Sequence, residues 1–139
     1  MIVADTGAVI ALIDADDKHH ETLLDLYEKA PDDWILPSAI LPEVDYLLAT
    51  KVGKRSQQAF LNDLADSAFF IDWGEAADIQ RAAELNAQCA SLRLGLVDGC
   101  VISTAERLEA RAIATLDVRH FGAVKIKGAP AIYPRDLSA

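Results

Sequence analysis

Several features that would narrow the class of this protein are scarce in its sequence. The 139 residues include two cysteines, Cys89 and Cys100, which form no C-x-x-C pair and have no histidine at zinc-site spacing. We therefore interpret both as small apolar residues buried in helices. No apolar run approaches the roughly 20 residues that a membrane-spanning helix needs. The first residues also lack the basic segment of a signal peptide. These absences predict a cytoplasmic protein without a membrane span.

Linkers, internal repeats and low-complexity tracts are also absent. The length is close to the commonest size of a single domain, and 52% of the residues are hydrophobic, which is enough to build a packed core. We therefore predict one domain that covers residues 1–139.

Strand and helix patterns alternate along this domain. Strands are predicted over 2–4, 34–37, 68–72 and 112–116, and a last apolar stretch, 124–132, is broken by Gly128 and Pro130. Helices are predicted over 6–13, 19–29, 54–66, 75–92 and 96–110, and another runs from a cap at Ser38 to about Val52. Such alternation predicts an α/β fold with a mainly parallel central sheet flanked by helices.

The net charge of −9 argues at first against a nucleic-acid partner. The charge is uneven, however, because residues 1–70 carry 13 acids and 5 bases, whereas residues 71–139 carry 9 acids and 8 bases. Some acids would also be neutralised if they held a metal ion. The bases of the second half are the candidates for contact with a nucleic-acid backbone: Arg93, Arg107, Arg111, Arg119, Lys125 and Lys127.

Two aspartates come directly after predicted strands. Asp5 follows the first strand, and Asp117 follows the strand that ends near Leu116. The carboxyl ends of parallel strands form the crevice where such sheets bind ligands, so both side chains are predicted to face it. Each also has an ordinary explanation, a helix cap for Asp5 and a turn for Asp117.

Two further acids lie on helices beside the sheet. Asp98 falls on the same helix face as the apolar Val101 and Ala105, where a carboxylate is costly unless it is paired or bound to metal. Glu43 borders the buried stripe of its own helix, whereas its neighbour Asp45 points away from that stripe. A first-turn acid favoured by the helix dipole explains Asp98 equally well, and a solvated rim position explains Glu43. Together with the strand-end aspartates, both can face one crevice.

A cluster of carboxylate oxygens suits Mg²⁺ or Mn²⁺ and does not suit zinc or copper. Such ions polarise a phosphoryl oxygen and activate a water molecule for attack on a phosphodiester. The sequence offers no persuasive pairing of a nucleophile with a histidine, and no partner is evident for His120. We therefore predict metal-assisted hydrolysis.

Four segments in order resemble the PIN-domain ribonucleases, and most closely the VapC toxins of toxin–antitoxin pairs. They are V-A-D-T-G at 3–7, P-E-V-D-Y-L-L at 42–48, L-x-L-V-D at 94–98 and A-T-L-D-x-R-H-F at 114–121. The resemblance implies an Mg²⁺- or Mn²⁺-dependent endoribonuclease with an RNA substrate, a small antitoxin as partner and a homodimeric assembly. It also assigns Asp5, Glu43, Asp98 and Asp117 as catalytic and metal-binding residues and Thr115 as a further catalytic residue, whose hydroxyl orients a water molecule or a carboxylate. Thr6 matches a small hydroxyl position next to the first acid.

Three positions differ from the usual family pattern. Pro42 precedes the glutamate and is tolerated if it lies in the first turn of its helix. Gly99 follows Asp98, where a small helix former such as alanine is more usual. Arg119 and His120 occupy a region where some relatives carry an additional acid. These differences concern the number and affinity of the metal ions.

Other functions remain open on the sequence alone. A free-standing PIN ribonuclease in RNA processing would carry the same acids, and a PIN-like fold without activity could serve as a binding module. A receiver-like signalling domain has a similar length and alternation, but it needs paired acids after the first strand. A phosphatase with an aspartyl nucleophile needs a second acid two residues after Asp5, where Gly7 stands.

Overall fold

A computed structural model describes residues 1–137. Its strands are β1 (Ile2–Ala4), β2 (Trp34–Pro37), β3 (Phe70–Asp72), β4 (Ala112–Ala114) and β5 (Ala131–Tyr133). Its α-helices are α1 (Thr6–Ile13), α2 (His20–Lys29), α3 (Leu41–Leu47), α4 (Lys54–Ala65), α5 (Ala76–Gln88), α6 (Gly95–Arg107) and α7 (Val118–Phe121). Short 3₁₀ turns cover Pro31–Asp33, Ser38–Ile40 and Ala90–Leu92, and a π-helical turn covers Leu48–Val52. Within these residues, no helix is both long enough and apolar enough to cross a bilayer.

The five strands form one parallel sheet in the order β3-β2-β1-β4-β5, which confirms the predicted α/β class. Strands β1 and β4 are apolar and fully buried, as expected when helices cover both faces of a sheet. They pair in register, with Ala4 opposite Ala114. The residues that follow them, Asp5 and Thr115, therefore emerge side by side at the carboxyl edge.

The predicted helix from Ser38 to Val52 is a succession of three helical types. A 3₁₀ turn leads into α3, and the π-helical turn ends at Gly53, whose φ of 145° favours glycine. The Ser38 cap was wrong, because its hydroxyl donates to the Trp73 carbonyl at 3.1 Å instead of capping a helix. Pro42 does lie in the first turn of α3, where its missing N–H has no cost.

The second half also departs from the predicted bounds. The predicted helix over 75–92 ends at Gln88, and a separate 3₁₀ turn follows it. Only the end of the predicted apolar stretch is a strand, β5, and the four-residue α7 was not predicted. Cys100 is buried as predicted, whereas Cys89 is only half-buried.

Helices α5 and α6 pack with their backbones in close approach at Gly99. A Cβ placed there would lie 2.5 Å from the Ala82 Cβ and 2.7 Å from the Ala82 Cα, both far inside van der Waals contact. This contact explains why glycine rather than alanine follows Asp98, in spite of the poorer helix propensity of glycine. The position of α6, and with it that of Asp98, depends on this contact.

A partly buried ionic network holds the other end of α6. The Arg107 guanidinium pairs with Asp72 of β3 and with Asp78 of α5, which is 4% exposed. The Ser103 hydroxyl donates to the same Asp78 carboxylate at 2.8 Å. The Arg107 pair lowers the pKa of Asp78 against the opposing effect of burial. Since charges buried in this way must be paired, the network ties strand and both helices together.

Candidate active site

Four acids line one cleft at the carboxyl edge of the sheet. They are Asp5, Glu43, Asp98 and Asp117, and the cleft has a volume of about 420 Å³. Thr6, Gly7, Leu47 and Leu116 complete its lining. The structure thus brings the two strand-end aspartates and the two helix-borne acids to one place.

Asp5 is the most buried of these acids, with 7% of its surface exposed. It occupies the N-cap position of α1, but its side chain makes no capping hydrogen bond. Its Oδ2 instead accepts from the Thr115 hydroxyl at 2.9 Å. Burial raises its pKa to about 6, against the hydrogen bonds from Thr6 and Thr115, and the charges of Glu43 and Asp117 add to the rise. The carboxyl group is thus available to the cleft and poorly solvated in its charged form.

Thr115 connects Asp5 with Asp117. Its side chain is fully buried, and its Oγ1 donates to Asp5 while it accepts from the Asp117 backbone N–H at 3.0 Å. One hydroxyl group therefore holds the Asp5 carboxylate and the Asp117 backbone in fixed positions. Within the described residues, Thr115 is not among those that line the cleft.

Asp98 enters the cleft from the first turn of α6. Burial raises its pKa to about 7; the charges of Asp5 and Asp117 raise it further, His120 lowers it, and Glu43 adds the smallest increase. A first-turn acid that served only the helix dipole would stay solvated and keep an ordinary pKa. The geometry therefore favours the interpretation of Asp98 as part of a shared charged site.

His120 was given no partner by the sequence, and this was wrong. Its Nδ1 lies 2.7 Å from Asp117 Oδ2 and 3.5 Å from Asp98 Oδ2, and its backbone N–H donates to Asp117 Oδ1 at 3.2 Å. One turn of α7 produces this arrangement, because His120 is three residues after Asp117. Within the described residues, Asp98, Asp117 and His120 offer ligand atoms that all lie within 4.8 Å of one another.

Glu43 differs from the other acids in its exposure. It projects from the first turn of α3 and is exposed to solvent at the open side of the cleft. Its neighbour Asp45 forms a hydrogen bond to another helix. The Asp45 Oδ1 accepts from Gln57 Nε2 at 2.8 Å, which joins α3 to α4.

The residues of the cleft fit a divalent cation that prefers oxygen ligands. The four carboxylates supply the hard, anionic oxygens that such ions need. The Thr6 hydroxyl is a second indication, because it lines the cleft and is buried without a hydrogen-bond partner within residues 1–137. A buried polar atom normally has a partner, so this oxygen is placed for a ligand or its water.

Two of the bases predicted to contact a nucleic-acid backbone are engaged elsewhere. Arg107 belongs to the ionic network with Asp72 and Asp78, and Arg111 pairs with Asp33 at 2.6 Å. Their partners lie 29 to 78 residues away along the chain, so no local pattern indicated them. These two arginines are therefore already paired with carboxylates, and their contact with RNA stays a prediction.

We expect the metal-free protein to lose stability as the pH rises from about 4 to about 7. Folded Asp5 and Asp98 keep protons up to about pH 6 and 7, whereas unfolded aspartates lose them near 3.8. The folded state therefore binds more protons in this range, so its stability falls with rising pH, by up to about 1.4 kcal/mol per pH unit for each proton. Urea unfolding in chelator at pH 5 to 8 measures the slope.

The control for this slope is Asp98→Asn, which removes one of the two titrating groups. It should flatten the slope between about pH 5 and 7, and saturating Mn²⁺ should raise the stability of the unsubstituted protein most at the upper end. A free energy of unfolding that stays level or rises over this range in the chelated protein would contradict the prediction.

The comparisons with known proteins agree with this geometry. Residues 2–127 match the PIN domain family. Ribonuclease VapC26 of Mycobacterium tuberculosis is 32% identical over 124 residues, which cover 89% of this chain and 92% of VapC26. The family model and the match to VapC26 each cover nearly the whole of this chain.

Solved structures show the same fold at lower identity. The crystal structure of M. tuberculosis VapC20, a sarcin-ricin loop cleaving toxin, has a TM-score of 0.80 at 19% identity and covers 91% of this chain and 97% of its own. That of Rickettsia felis VapBC2 bound to a DNA fragment from the promoter has a TM-score of 0.67 at 21% identity, covering 95% and 97%. FitAcB from Neisseria gonorrhoeae has a TM-score of 0.63 at 19% identity, covering 95% and 96%. The chain belongs to the PIN-domain family.

Proposed function

We propose that this protein is a metal-dependent endoribonuclease and the toxin of a type II toxin–antitoxin pair. The observation that carries the proposal is the convergence of Asp5, Glu43, Asp98 and Asp117 in one open cleft. The identity of 32% to a protein named a ribonuclease supports the reaction class. A free-standing PIN ribonuclease shares this site and differs in having no antitoxin, whereas a receiver-like module has no support among these matches.

The four acids of the cleft form the proposed metal site and differ in their burial. Asp5, Asp98 and Asp117 would hold Mg²⁺ or Mn²⁺ together with the exposed Glu43. A divalent ion held there would supply Lewis-acid chemistry, which polarises a phosphoryl oxygen and activates a water molecule. Asp98 must lose its proton before it can hold the ion, so metal affinity rises as the pH passes about 7.

Thr115 and His120 position these acids. The Thr115 hydroxyl orients Asp5, and His120 Nδ1 orients Asp117 through the 2.7 Å contact with Oδ2. Partners of this kind fix the direction of a metal-binding carboxylate, and their loss typically costs about 10- to 100-fold in metal affinity or activity. The chain thus supplies both the charged groups and the hydrogen bonds that hold them.

An antitoxin that inhibits the enzyme would bind at two neighbouring surfaces. The acidic cleft suits an arginine, whose guanidinium pairs with carboxylates in bidentate fashion. A second groove of about 460 Å³ is lined by apolar side chains that include the exposed Trp73, Ile79 and Leu96. We propose that the partner places a basic side chain in the cleft and apolar anchors in this groove. The resemblance also implies a homodimer, and the cytoplasmic location stays a prediction.

The proposed activity is tested by cleavage of several RNA classes in Mn²⁺, Mg²⁺ or chelator. Products should form only with a divalent ion, because the chain offers four carboxylates to hold it and depends on the ion to activate water. Full cleavage in chelator would contradict the mechanism. Co-expression with the product of the neighbouring reading frame, followed by the same assay, tests the antitoxin; a neighbour that neither binds nor inhibits favours the free-standing enzyme.

A further inference from the structure

Another cleft adjoins the acidic cleft, which is the one lined by Asp5, Glu43, Asp98 and Asp117. It has a volume of about 430 Å³ and is lined by Ser91, Leu92, Arg93, Arg119 and His120. His120 connects the two clefts, because it lines this one while its Nδ1 contacts Asp117 of the acidic cleft at 2.7 Å. We call this neighbouring cleft, with Arg93 and Arg119, the basic cleft. An anion bound there would lie beside the four acids.

The two arginines of the basic cleft are free to bind a ligand. Four of the seven arginines in the chain pair with carboxylates: Arg81, Arg107, Arg111 and Arg135. Within residues 1–137, Arg93 and Arg119 are in no ion pair, and both are exposed to solvent. In a protein of net charge −9, two unpaired guanidinium groups in one cleft form a local positive site.

The segment that carries Arg93 is held firmly. Arg93 has a left-handed backbone with φ of 53°, and the next residue, Leu94, is buried. The Asn86 side chain forms two hydrogen bonds with the Gly95 backbone: it accepts from the N–H at 2.9 Å and donates to the carbonyl at 3.0 Å. The backbone that presents Arg93 is thus fixed before any ligand arrives.

Arg119 has a comparable support on the opposite side of the basic cleft. It lies in α7 between Asp117, which accepts from the His120 N–H, and Phe121, which is 1% exposed. Both arginine backbones are therefore anchored, while the side chains extend into solvent. Binding then requires the ordering of two side chains and no rearrangement of a loop.

We infer that the basic cleft binds a backbone phosphate of the RNA strand adjacent to the phosphate that is cleaved. The guanidinium fork matches phosphate oxygens in bidentate fashion, and the acidic cleft alone would repel a polyanion until a metal ion is bound. Arg93 and Arg119 then hold the strand so that the next phosphate reaches the acids. This inference rests on the proposed function.

The test is RNA binding in the Asp98→Asn background, in which cleavage is not expected to interfere and one of the four repelling charges of the acidic cleft is gone. A fluorescein-labelled single-stranded oligoribonucleotide is titrated with Arg93→Gln, Arg119→Gln and, as a matched control, Arg111→Gln, which removes the same charge at the opposite edge of the sheet. Fluorescence anisotropy is measured over a series of salt concentrations. Each of the first two substitutions should weaken binding about ten-fold and reduce the salt slope by about 0.7. The control should match its parent.

Arg119→Lys distinguishes phosphate contact from structural support. It keeps the charge and loses the fork, so the salt slope should remain while the affinity falls. Binding by Arg93→Gln and Arg119→Gln that equals that of the control would overturn the inference, and so would a parent that binds no RNA. If the unsubstituted protein never cleaves RNA in Mn²⁺, but binding still depends on the two arginines, the proposed function is refuted and the phosphate site stands.

Discussion

Asp98→Asn is expected to reduce metal-dependent RNA cleavage by about 100-fold or more while the fold is retained. The amide has nearly the shape of the carboxylate and lacks the charge that holds the ion, so the loss should at least equal that of an outer-shell partner, about 10- to 100-fold. Because burial, together with the charges of Asp5 and Asp117, raises the Asp98 pKa to about 7, the substitution also removes a poorly solvated charge and its repulsion at pH 8. The metal-free variant should therefore be no less stable than the unsubstituted protein.

Initial cleavage rates in Mn²⁺ and unfolding in chelator measure the two parts of this prediction. The matched control is Asp45→Asn, which removes the same charge from α3 beside Glu43, where the side chain faces Gln57 instead of the cleft. Its cleavage rate should stay close to that of the unsubstituted protein. A variant Asp98→Asn that cuts RNA as fast as the control would exclude Asp98 from the reaction.

Gly99→Ala should destabilise the protein by about 1–3 kcal/mol, although alanine is the better helix former. The new Cβ would lie 2.5 Å from the Ala82 Cβ and 2.7 Å from the Ala82 Cα, so α5 and α6 must separate. Helix propensity alone predicts a gain of about 1 kcal/mol, which makes the sign of the change decisive. Equilibrium urea unfolding at one fixed pH measures it.

Two further variants show whether the contact is the cause. Gly7→Ala, in helix α1, adds a Cβ that meets nothing within 4 Å, so it should leave stability unchanged or raise it. Ala82→Gly in the Gly99→Ala protein removes one of the clashing atoms and should recover part of the lost free energy, a positive coupling in the double-mutant cycle. Additive effects of the two substitutions would count against a direct contact.

The central features of the site could be predicted because they depend on short-range patterns. An aspartate that follows a buried parallel strand lies at the ligand-binding edge whatever the rest of the chain does, which placed Asp5 and Asp117. Helical periodicity placed Asp98 on an apolar face, and the same reasoning placed Glu43 at the edge of a stripe. Their convergence then followed from the parallel sheet.

The features that escaped prediction depend on short elements or on distant partners. Helix α7 has four residues, too few for a periodic pattern, so the pairing of His120 with Asp117 was not visible. Arg111 pairs with Asp33, 78 residues away, and nothing near either residue indicates the other. Gly99 departed from the family pattern for a reason that lies on another helix, at Ala82.

The Thr115 hydroxyl has a consequence for the thermodynamics of metal capture. It fixes Asp5 through the side chain and Asp117 through the backbone, and His120 holds the Asp117 carboxylate, so two of the four acids are ordered when the chain folds. Their conformational entropy is lost in folding and is not lost again when the ion arrives. Ordering is left mainly to Glu43, the exposed acid at the mouth of the cleft. The entropy lost on metal binding should therefore come chiefly from this side chain.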